Sequence, residues 1–373
     1  MTRNVEGHAF RVLDVAEAIE RWAPLCYQDS YDNSGLQVGD PRDQVRGVLV
    51  ALDLTMDVLL EAERKGCNLI VTHHPLLFHT PRTFTGRTLV ERMTMRAIRS
   101  GISVYSAHTS LDNAPLGVSH EMASRIGLRD LRPLQPLADG LLELTVQVPV
   151  ADLDRVRQAL LEAGCGRLGQ YGDCASWMPS QTVFRPLKGA VPHLGKQDEL
   201  THVEEARLVV CVPAHLRHKA EEALLESHPY EQPAYGFKKL DGPLSDWGSG
   251  VVGRLERPME RDRFLDLVRS AFGDARLAYS ADFKGTVETV ALCGGAGAFL
   301  APSALKAGAQ AFLTGEISYH QFFTDSDRLL LVSMGHYESE QFTVDLLERI
   351  ICGALDGIRV GKSETGHNPV AYR

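Results

Sequence analysis

Residues 68–75 have the sequence Asn-Leu-Ile-Val-Thr-His-His-Pro, an apolar run that ends in two adjacent histidines. A short apolar and β-branched run bounded by proline is typical of a buried strand that ends in a turn. A helical pattern at 55–65 precedes this run, and a further apolar run at 47–52 precedes the helix. Alternating strands and helices predict a parallel sheet with its site at the carboxyl ends of the strands. We therefore expect an α/β fold with His73 and His74 at such an end.

The same plan occurs a second time in the C-terminal third of the chain. Apolar runs predict strands at 287–293, 310–314 and 329–333, with a helix at 299–307. A further strand, 102–106, extends the N-terminal series. Because crossover connections of this kind are right-handed and join parallel strands, we expect two similar α/β halves that flank one cleft. The predicted domain is discontinuous and consists of residues 1–137 and 244–373.

The middle of the chain, residues 138–243, has a different pattern. It predicts, in order, strand, helix, two strands, helix and strand, at 142–148, 151–163, 179–185, 202–212, 213–227 and 234–240. This order is the ferredoxin-like pattern of an α+β domain. We predict that it forms a separate domain inserted into the first.

Five potential metal ligands follow predicted strands: His73, His74, Asp112, His336 and Glu340. Adjacent strand residues point to opposite faces, so both histidines of the pair reach one site only if they lie in the turn after the strand. His336 and Glu340 are four residues apart, one turn along a helix that we predict to continue to residue 350. Each pattern alone occurs often by chance, and the prediction rests on their shared placement.

The donor types indicate the kind of metal. Imidazole ligands favour zinc, iron, manganese, cobalt or nickel over magnesium and calcium. Three imidazoles and two carboxylates are too few to fill two coordination shells, which leaves positions for water or substrate. We predict two divalent transition-metal ions per chain in a hydrolytic dinuclear centre with a small anionic substrate. His108 and His320 lie near the ligands in sequence and are interpreted as cavity-lining groups that could move protons.

The composition argues against several other classes of protein. A net charge of −9 over 373 residues argues against nucleic-acid binding. Seven cysteines without a C-x-x-C pair indicate reduced thiols and a cytoplasmic protein. The first residues lack the apolar segment of a signal peptide, and we find no run of about 18 uncharged apolar residues that would span a membrane.

The turn at residues 294–297, Gly-Gly-Ala-Gly, has two interpretations. Backbone N–H groups of such a turn before a helix can bind a phosphate. The turn does not match a Walker A loop or a dinucleotide-binding fingerprint. Equally, glycines at this position can allow close packing of neighbouring segments.

Together these motifs resemble the dinuclear-metal family of GTP cyclohydrolase I type 2 homologues. The likeness rests on six segments, at residues 32–39, 72–76, 108–112, 293–297, 314–320 and 335–340. The resemblance implies the same five ligands, with His74 and Asp112 on one metal, His73 and His336 on the other, and Glu340 bridging both. It also implies a toroidal homohexamer. Through residues 227–233, the middle region is similar to the CutA-like domain inserted in longer family members.

Three functions are compatible with these patterns. The first is a metal-dependent hydrolase with GTP cyclohydrolase I type activity, in which water adds to C8 of the purine, the imidazole ring opens and formate leaves. The second is a nucleotide or phosphate-ester hydrolase with the same centre, which would release inorganic phosphate. The third is a metal-storage, metal-delivery or regulatory scaffold protein, which would hold exchangeable metal without turnover.

Overall fold

The computed structural model describes residues 9–138, 140–242, 244–323 and 325–371. The chain divides into two compact units: residues up to 136 together with those from 246 onwards, and residues 137–245. In the described ranges, none of the helices combines the length and the apolar character that a membrane span requires.

The helices and strands are numbered separately along the chain. The first segment contains α1 Val12–Trp22, β1 Gly35–Val38, β2 Val48–Ala51, α2 Met56–Lys65, β3 Leu69–Thr72, α3 Leu89–Arg99, β4 Ser103–Ser106, α4 Thr109–Asp112, α5 Val118–Arg125 and β5 Arg129–Leu137. The middle segment contains β6 Leu141–Pro149, α6 Leu153–Glu162, β7 Ala175–Phe184, β8 Thr201–Pro213, α7 Arg217–Ser227 and β9 Tyr235–Leu240. The last segment contains β10 Leu244–Glu260, α8 Arg261–Ala271, β11 Ala278–Tyr279, β12 Thr286–Cys293, α9 Ala301–Lys306, β13 Ala311–Thr314, β14 Leu330–Ser333, α10 His336–Glu340, α11 Thr343–Ala354 and β15 Val360–Lys362.

The larger unit contains two mixed sheets. The first has the strand order β1-β4-β3-β2-β15, and its strands β15, β2, β3 and β4 are parallel. The second has the order β11-β14-β13-β12-β10-β5, with β12, β13 and β14 parallel. Antiparallel strands β1 and β11 lie at the edges of the two sheets. The predicted α/β fold class is confirmed, but each sheet also has antiparallel strands that the sequence patterns did not indicate.

The two sheets share one hydrophobic core. Every residue of β2 and β3 is buried, as expected for parallel strands covered on both faces. Alternate residues point to opposite sides, so Leu69 and Val71 join a core with residues of α1, α5, α8 and α11, whereas Ile70 joins a second core with α2 and α3. Residues of β12, β13 and β14 contribute to the same shared core. This packing fixes the strand ends of the two sheets relative to each other.

The smaller unit is an antiparallel sheet with two helices. Its strand order is β7-β8-β6-β9, with β6 paired to both β8 and β9. This strand order, together with the helices α6 and α7, forms the ferredoxin-like arrangement. Its core combines buried residues of β6 and β8 with those of α6 and α7.

The C-terminal segment returns to the first sheet and is held there by a buried carboxylate. Strand β15 pairs with β2, and the residues after it bind Glu61 of α2, which is 1% exposed. The Glu61 oxygens accept hydrogen bonds from Ser363 Oγ at 2.6 Å, Thr365 Oγ1 at 2.7 Å and the Glu364 amide at 2.9 Å. Lys65 Nζ lies 2.6 Å from Glu61 Oε1.

We expect Glu61→Gln to destabilise the larger unit by about 2–4 kcal/mol, because charge-assisted bonds are lost at a buried site. Burial alone would raise the pKa of Glu61, but the bonds from Lys65 and Ser363 lower it below its ordinary value of 4.5. A carboxyl group whose pKa is lowered by folding stabilises the folded state at pH values above its ordinary pKa. This stabilisation is progressively lost as the pH falls below that pKa. Urea unfolding at pH 7 and at pH 4 measures both effects.

Glu364→Gln is the matched control for this measurement. Glu364 also pairs with Lys65, but its side chain is 82% exposed. Exposed pairs contribute less than about 1 kcal/mol, so this variant should unfold almost as the unmodified protein does. Equal stabilities for the two variants would contradict the role of Glu61.

Candidate metal centre

The candidate centre lies where the parallel strands of both sheets end. His73 and His74 directly follow β3, and α10 begins with His336 three residues after β14. Asp112 ends the short helix α4, which begins three residues after β4. The structure therefore brings all five predicted ligands to one edge of the two sheets, although they are separated by up to 267 positions along the chain.

A tight turn orients the two adjacent histidines. The amides of His73 and His74 both donate to the carbonyl of Leu52, at 3.2 and 3.1 Å. Thr72 Oγ1 donates to the His74 carbonyl at 2.8 Å. Because the strand pairing has ended, both imidazoles reach the same region, and their ring centroids are 4.9 Å apart.

Each of the three histidines is held through Nδ1 by an oxygen acceptor. His73 Nδ1 lies 2.7 Å from the carbonyl of Ala107. His74 Nδ1 lies 2.7 Å from Asp53 Oδ1, and His336 Nδ1 lies 2.8 Å from Glu316 Oε1. Metal-binding histidines commonly donate the other ring N–H to a carboxylate or a carbonyl, which fixes the ring and its tautomer. This arrangement turns each Nε2 towards the candidate centre, where the neutral ring can bind a cation.

The three Nε2 atoms converge on Glu340. Glu340 Oε2 lies 3.0 Å from His74 Nε2 and 3.1 Å from His336 Nε2. Glu340 Oε1 lies 3.8 Å from His73 Nε2, which is in turn 3.7 Å from Asp112 Oδ1. Glu340 is therefore placed between two groups of donors.

The distances favour a different division of ligands from the one that the resemblance implies. The two groups with Glu340 are His73 with Asp112 and His74 with His336. The Nε2 atoms of the second pair are only 3.3 Å apart, whereas the one donor group that contains Asp112 among the described residues does not include His74. The pairing of His74 with Asp112 is thus the less favourable one in this geometry.

The donors fit a cation in two further respects. Among the described residues, His73 Nε2 and Asp112 Oδ1 are buried and have no hydrogen-bond partner. Buried polar atoms are normally paired, and an unpaired donor or acceptor costs about 1–3 kcal/mol. A divalent cation would satisfy both atoms, and the mixed imidazole and carboxylate set suits a transition metal.

The glycine turn after β12 makes room for Glu340. A Cβ on Gly295 would overlap Glu340 Oε1 and lie 3.3 Å from His336 Cε1. The amides of Gly295 and Gly297 donate to Ser339 Oγ at 3.0 Å and Thr314 Oγ1 at 2.9 Å. Since these two amides are already bonded to protein, the structure favours the close-packing interpretation of this turn over the phosphate-binding one.

The centre borders a cavity of about 1020 Å³. Four of the predicted ligands line it, and His73, at 0% exposure, is buried behind them. His108 also lines the cavity, with its ring 5.3 Å from that of His73. His320 is exposed in a 3-10 turn beside Tyr319 and does not belong to this lining, so the structure does not bring it to the centre.

The side chains that hold the histidines were not predicted from the sequence. Asp53 stands two residues after β2 and Glu316 two residues after β13, so both are at strand ends like the ligands themselves. Placement alone could therefore have identified them. Their roles could not be distinguished from those of ligands without the contacts to Nδ1.

We expect metal uptake at pH 7 to release at least about two protons per chain. Burial would lower the pKa of His74, but bonds to Asp53 and Glu340 raise it to about 10. The bond to Glu340 is the main cause that raises the pKa of His336 to about 9. Both rings are therefore protonated in the metal-free protein below these values, and affinity should increase with pH. Calorimetry of zinc binding in buffers of different ionisation enthalpy counts the protons, and heats independent of the buffer would contradict the expectation.

The protein has an α/β fold with two mixed sheets. Imidazole and carboxylate donors that follow the parallel strands of both sheets form a candidate transition-metal centre. The sequence profile of the Duf34/NIF3 (NGG1p interacting factor 3) family matches residues 10–369. The chain belongs to this family.

Individual relatives agree with the family assignment. A Halalkalibacterium halodurans protein named GTP cyclohydrolase 1 type 2 homolog is 34% identical over 324 residues, which is 86% of this chain and 87% of that protein. A Bacillus subtilis protein of the same name is 30% identical over the full length of both chains. The crystal structure of a Bacillus cereus protein related to NIF3 is 28% identical, covers 98% of this chain and 100% of its own, and has a TM-score of 0.82.

Proposed function

We propose that the chain is a metal-dependent hydrolase whose dinuclear centre acts on a purine nucleotide in a reaction of the GTP cyclohydrolase I type. The observation that carries the proposal is the convergence of three Nε2 atoms on Glu340 beside an open cavity. The name shared by the H. halodurans and B. subtilis relatives supports the choice of GTP.

The residues divide into two binding groups that share one carboxylate. His73 and Asp112 would hold one divalent cation, His74 and His336 the other, with Glu340 between them. Cations at these positions supply Lewis acidity and increase the acidity of water. Hydrogen bonds through Nδ1 hold the three imidazoles in place, and the cavity beside them provides space for a substrate.

Cavity size favours a nucleotide over a small ester. Sites for drug-sized ligands have volumes of about 300–1,000 Å³, and this cavity of about 1020 Å³ lies at the upper end of that range. Its lining includes the aromatic side chains of Tyr31, Phe78 and Phe299, which offer flat apolar surface to a ring. Two divalent cations carry more positive charge than two carboxylates return, which favours an anionic substrate.

We also propose that the protein assembles into a homohexamer, as the resemblance implies. Exposed apolar side chains, including Phe299, Tyr319 and Phe323, are consistent with a self-association surface. Sedimentation analysis should give a mass near six times that of the 41.0 kDa chain. A monomeric mass would contradict this part of the proposal.

The decisive experiment combines metal content with product analysis. Protein purified without chelator should contain about two transition-metal ions per chain and should release formate and a pterin precursor from GTP. His74→Ala should lose metal and turnover, whereas His320→Ala, a histidine outside the cavity lining, should retain both. Release of inorganic phosphate would indicate a phosphate-ester hydrolase. Bound metal without turnover would overturn the hydrolase and leave a storage or regulatory protein.

A further inference from the structure

His108 is held in the same way as the three histidines of the centre. Its Nδ1 lies 2.8 Å from Oδ1 of Asp32, a residue of the loop before β1. The Asp32 side chain is 0% exposed, and that of His108 is 16% exposed. Asp32 belongs to the segment 32–39 that carries the family resemblance, and no role was predicted for it from the sequence.

The contacts of Asp32 determine its charge. Oδ2 accepts hydrogen bonds from Thr109 Oγ1 at 2.6 Å, the Thr109 amide at 3.0 Å and Ser34 Oγ at 2.8 Å. Oδ1 accepts a hydrogen bond from the Asn33 amide at 2.7 Å and also lies 2.8 Å from His108 Nδ1. Burial would raise the pKa of Asp32, but hydrogen bonds from His108 and Thr109 lower it far below its ordinary value. Such a set of donors favours the ionised carboxylate.

The charge of Asp32 in turn fixes the tautomer of His108. An ionised carboxylate only accepts hydrogen bonds, so the proton between the two groups is carried by His108 Nδ1. In the neutral ring, Nε2 then has a free lone pair. Its ring lies edge-on to His74 at 5.5 Å and to Phe78 at 6.1 Å, both of which line the cavity.

His108 nevertheless differs from the ligands in its relation to Glu340. Within the described residues, His108 forms a possible ligand group with His73 and His74, but neither donor group that contains Glu340 includes it. His108 is therefore oriented through Nδ1 like the predicted ligands, but it lies outside both groups that share Glu340, and its position in the cavity lining lets it contact a bound molecule.

We propose that Asp32 is a positioning residue that fixes His108 as the Nδ1–H tautomer, so that Nε2 accepts a hydrogen bond from the substrate or its attacking water. The partner of Nε2 rests on the proposed function, whereas the tautomer does not.

The loop that carries Asp32 gives this arrangement its rigidity. The Asp29 amide donates to Thr109 Oγ1 at 2.9 Å, and the His108 amide donates to Ser34 Oγ at 3.1 Å. The loop and the start of α4 are therefore joined at several points around one carboxylate. A fixed ring loses less entropy when it binds a substrate than a mobile ring would.

The test compares Asp32→Asn with Thr109→Val. The first variant removes the charge that faces His108, and the second removes a hydrogen bond to the other Asp32 oxygen while leaving the contact with His108. Solid-state NMR of zinc-loaded protein with ¹⁵N-labelled histidine reports which ring nitrogen carries the proton, and His108→Gln assigns the signal. We expect protonated Nδ1 in the unmodified protein and in Thr109→Val, and a mixture of tautomers in Asp32→Asn.

Zinc content and turnover complete the test. Asp32→Asn and His108→Gln should retain their zinc, and turnover of GTP should fall at least about tenfold with KM nearly unchanged. Loss of zinc in His108→Gln would identify a metal ligand and overturn the proposal, as would a protonated Nε2 in the unmodified protein or an unchanged tautomer in Asp32→Asn. Absence of turnover in the unmodified protein would overturn the proposed function alone, since the NMR result decides the tautomer independently.

Discussion

Glu340→Gln is expected to remove at least one metal ion from the centre and to leave the fold intact. Both Glu340 oxygens face imidazole nitrogens, with Oε2 3.0 Å from His74 Nε2 and Oε1 3.8 Å from His73 Nε2. The amide has no charge and replaces one of these oxygens with an N–H donor, which repels a cation. We expect the remaining affinity for zinc to fall by at least about 100-fold, the upper end of the losses seen when groups supporting a metal ligand are removed.

Glu338→Gln provides the matched control for this prediction. It is the same change in the same short helix, and Glu338 binds Asn368 Nδ2 at 2.9 Å rather than any predicted ligand. Elemental analysis should find full metal content in this variant, and circular dichroism should find the same helix content in both. If Glu340→Gln keeps two ions per chain, Glu340 does not bridge.

The second large effect is expected for Gly295→Ala, which should weaken metal binding at least about tenfold without contact between the new side chain and a metal. The added Cβ would overlap Glu340 Oε1 and crowd His336 Cε1. Glu340 lies in a buried helix end with little freedom to retreat. The carboxylate must therefore shift, and the two donor groups that share it change together.

Backbone strain must be separated from this steric effect, because Gly295 has a φ of +57°. Gly308→Ala is a suitable control, since Gly308 has a φ of +79° and a Cβ there would meet nothing within 4 Å. Both variants should lose about 1–2 kcal/mol of stability from the left-handed conformation. Zinc titration should distinguish them, and equal zinc affinities would show that the glycine turn does not position Glu340.

The α/β fold class could be predicted because a buried parallel strand requires a short, uninterrupted run of apolar residues. Leu69, Ile70 and Val71 are buried on both faces of their sheet, which requires an uninterrupted apolar sequence. The place of the candidate site follows from the same runs, since polar residues directly after parallel strands meet at one edge. His73 and His336 could therefore be grouped despite the length of chain between them.

Other features depend on contacts that are remote in sequence. Strand β15 is only three residues long and pairs with β2 from the far end of the chain, so no local pattern distinguishes it. The helix predicted after His336 is divided into α10 and α11, because residues 341–342 turn the chain between them. The division of the ligands into two groups depends on distances between side chains, which the sequence does not contain. Those distances place His73 with Asp112.

His320 shows how proximity in sequence misleads. It follows Glu316, which holds His336, by only four positions. The chain after Glu316 enters the 3-10 turn Tyr319–Phe323, in which His320 is exposed. By contrast, Asp32 lies 76 positions before His108 and contacts it directly.

Strand β15 has a consequence for the order of events during protein synthesis. The first sheet lacks its last strand, and Glu61 lacks its partners at residues 363–365, until those residues have left the ribosome. His336 and Glu340 also emerge late, long after His73 and His74 have left the exit tunnel. A nascent chain therefore exposes two histidines without the carboxylate that joins them. The proposed centre therefore has its full set of donors only after Glu340 has left the exit tunnel.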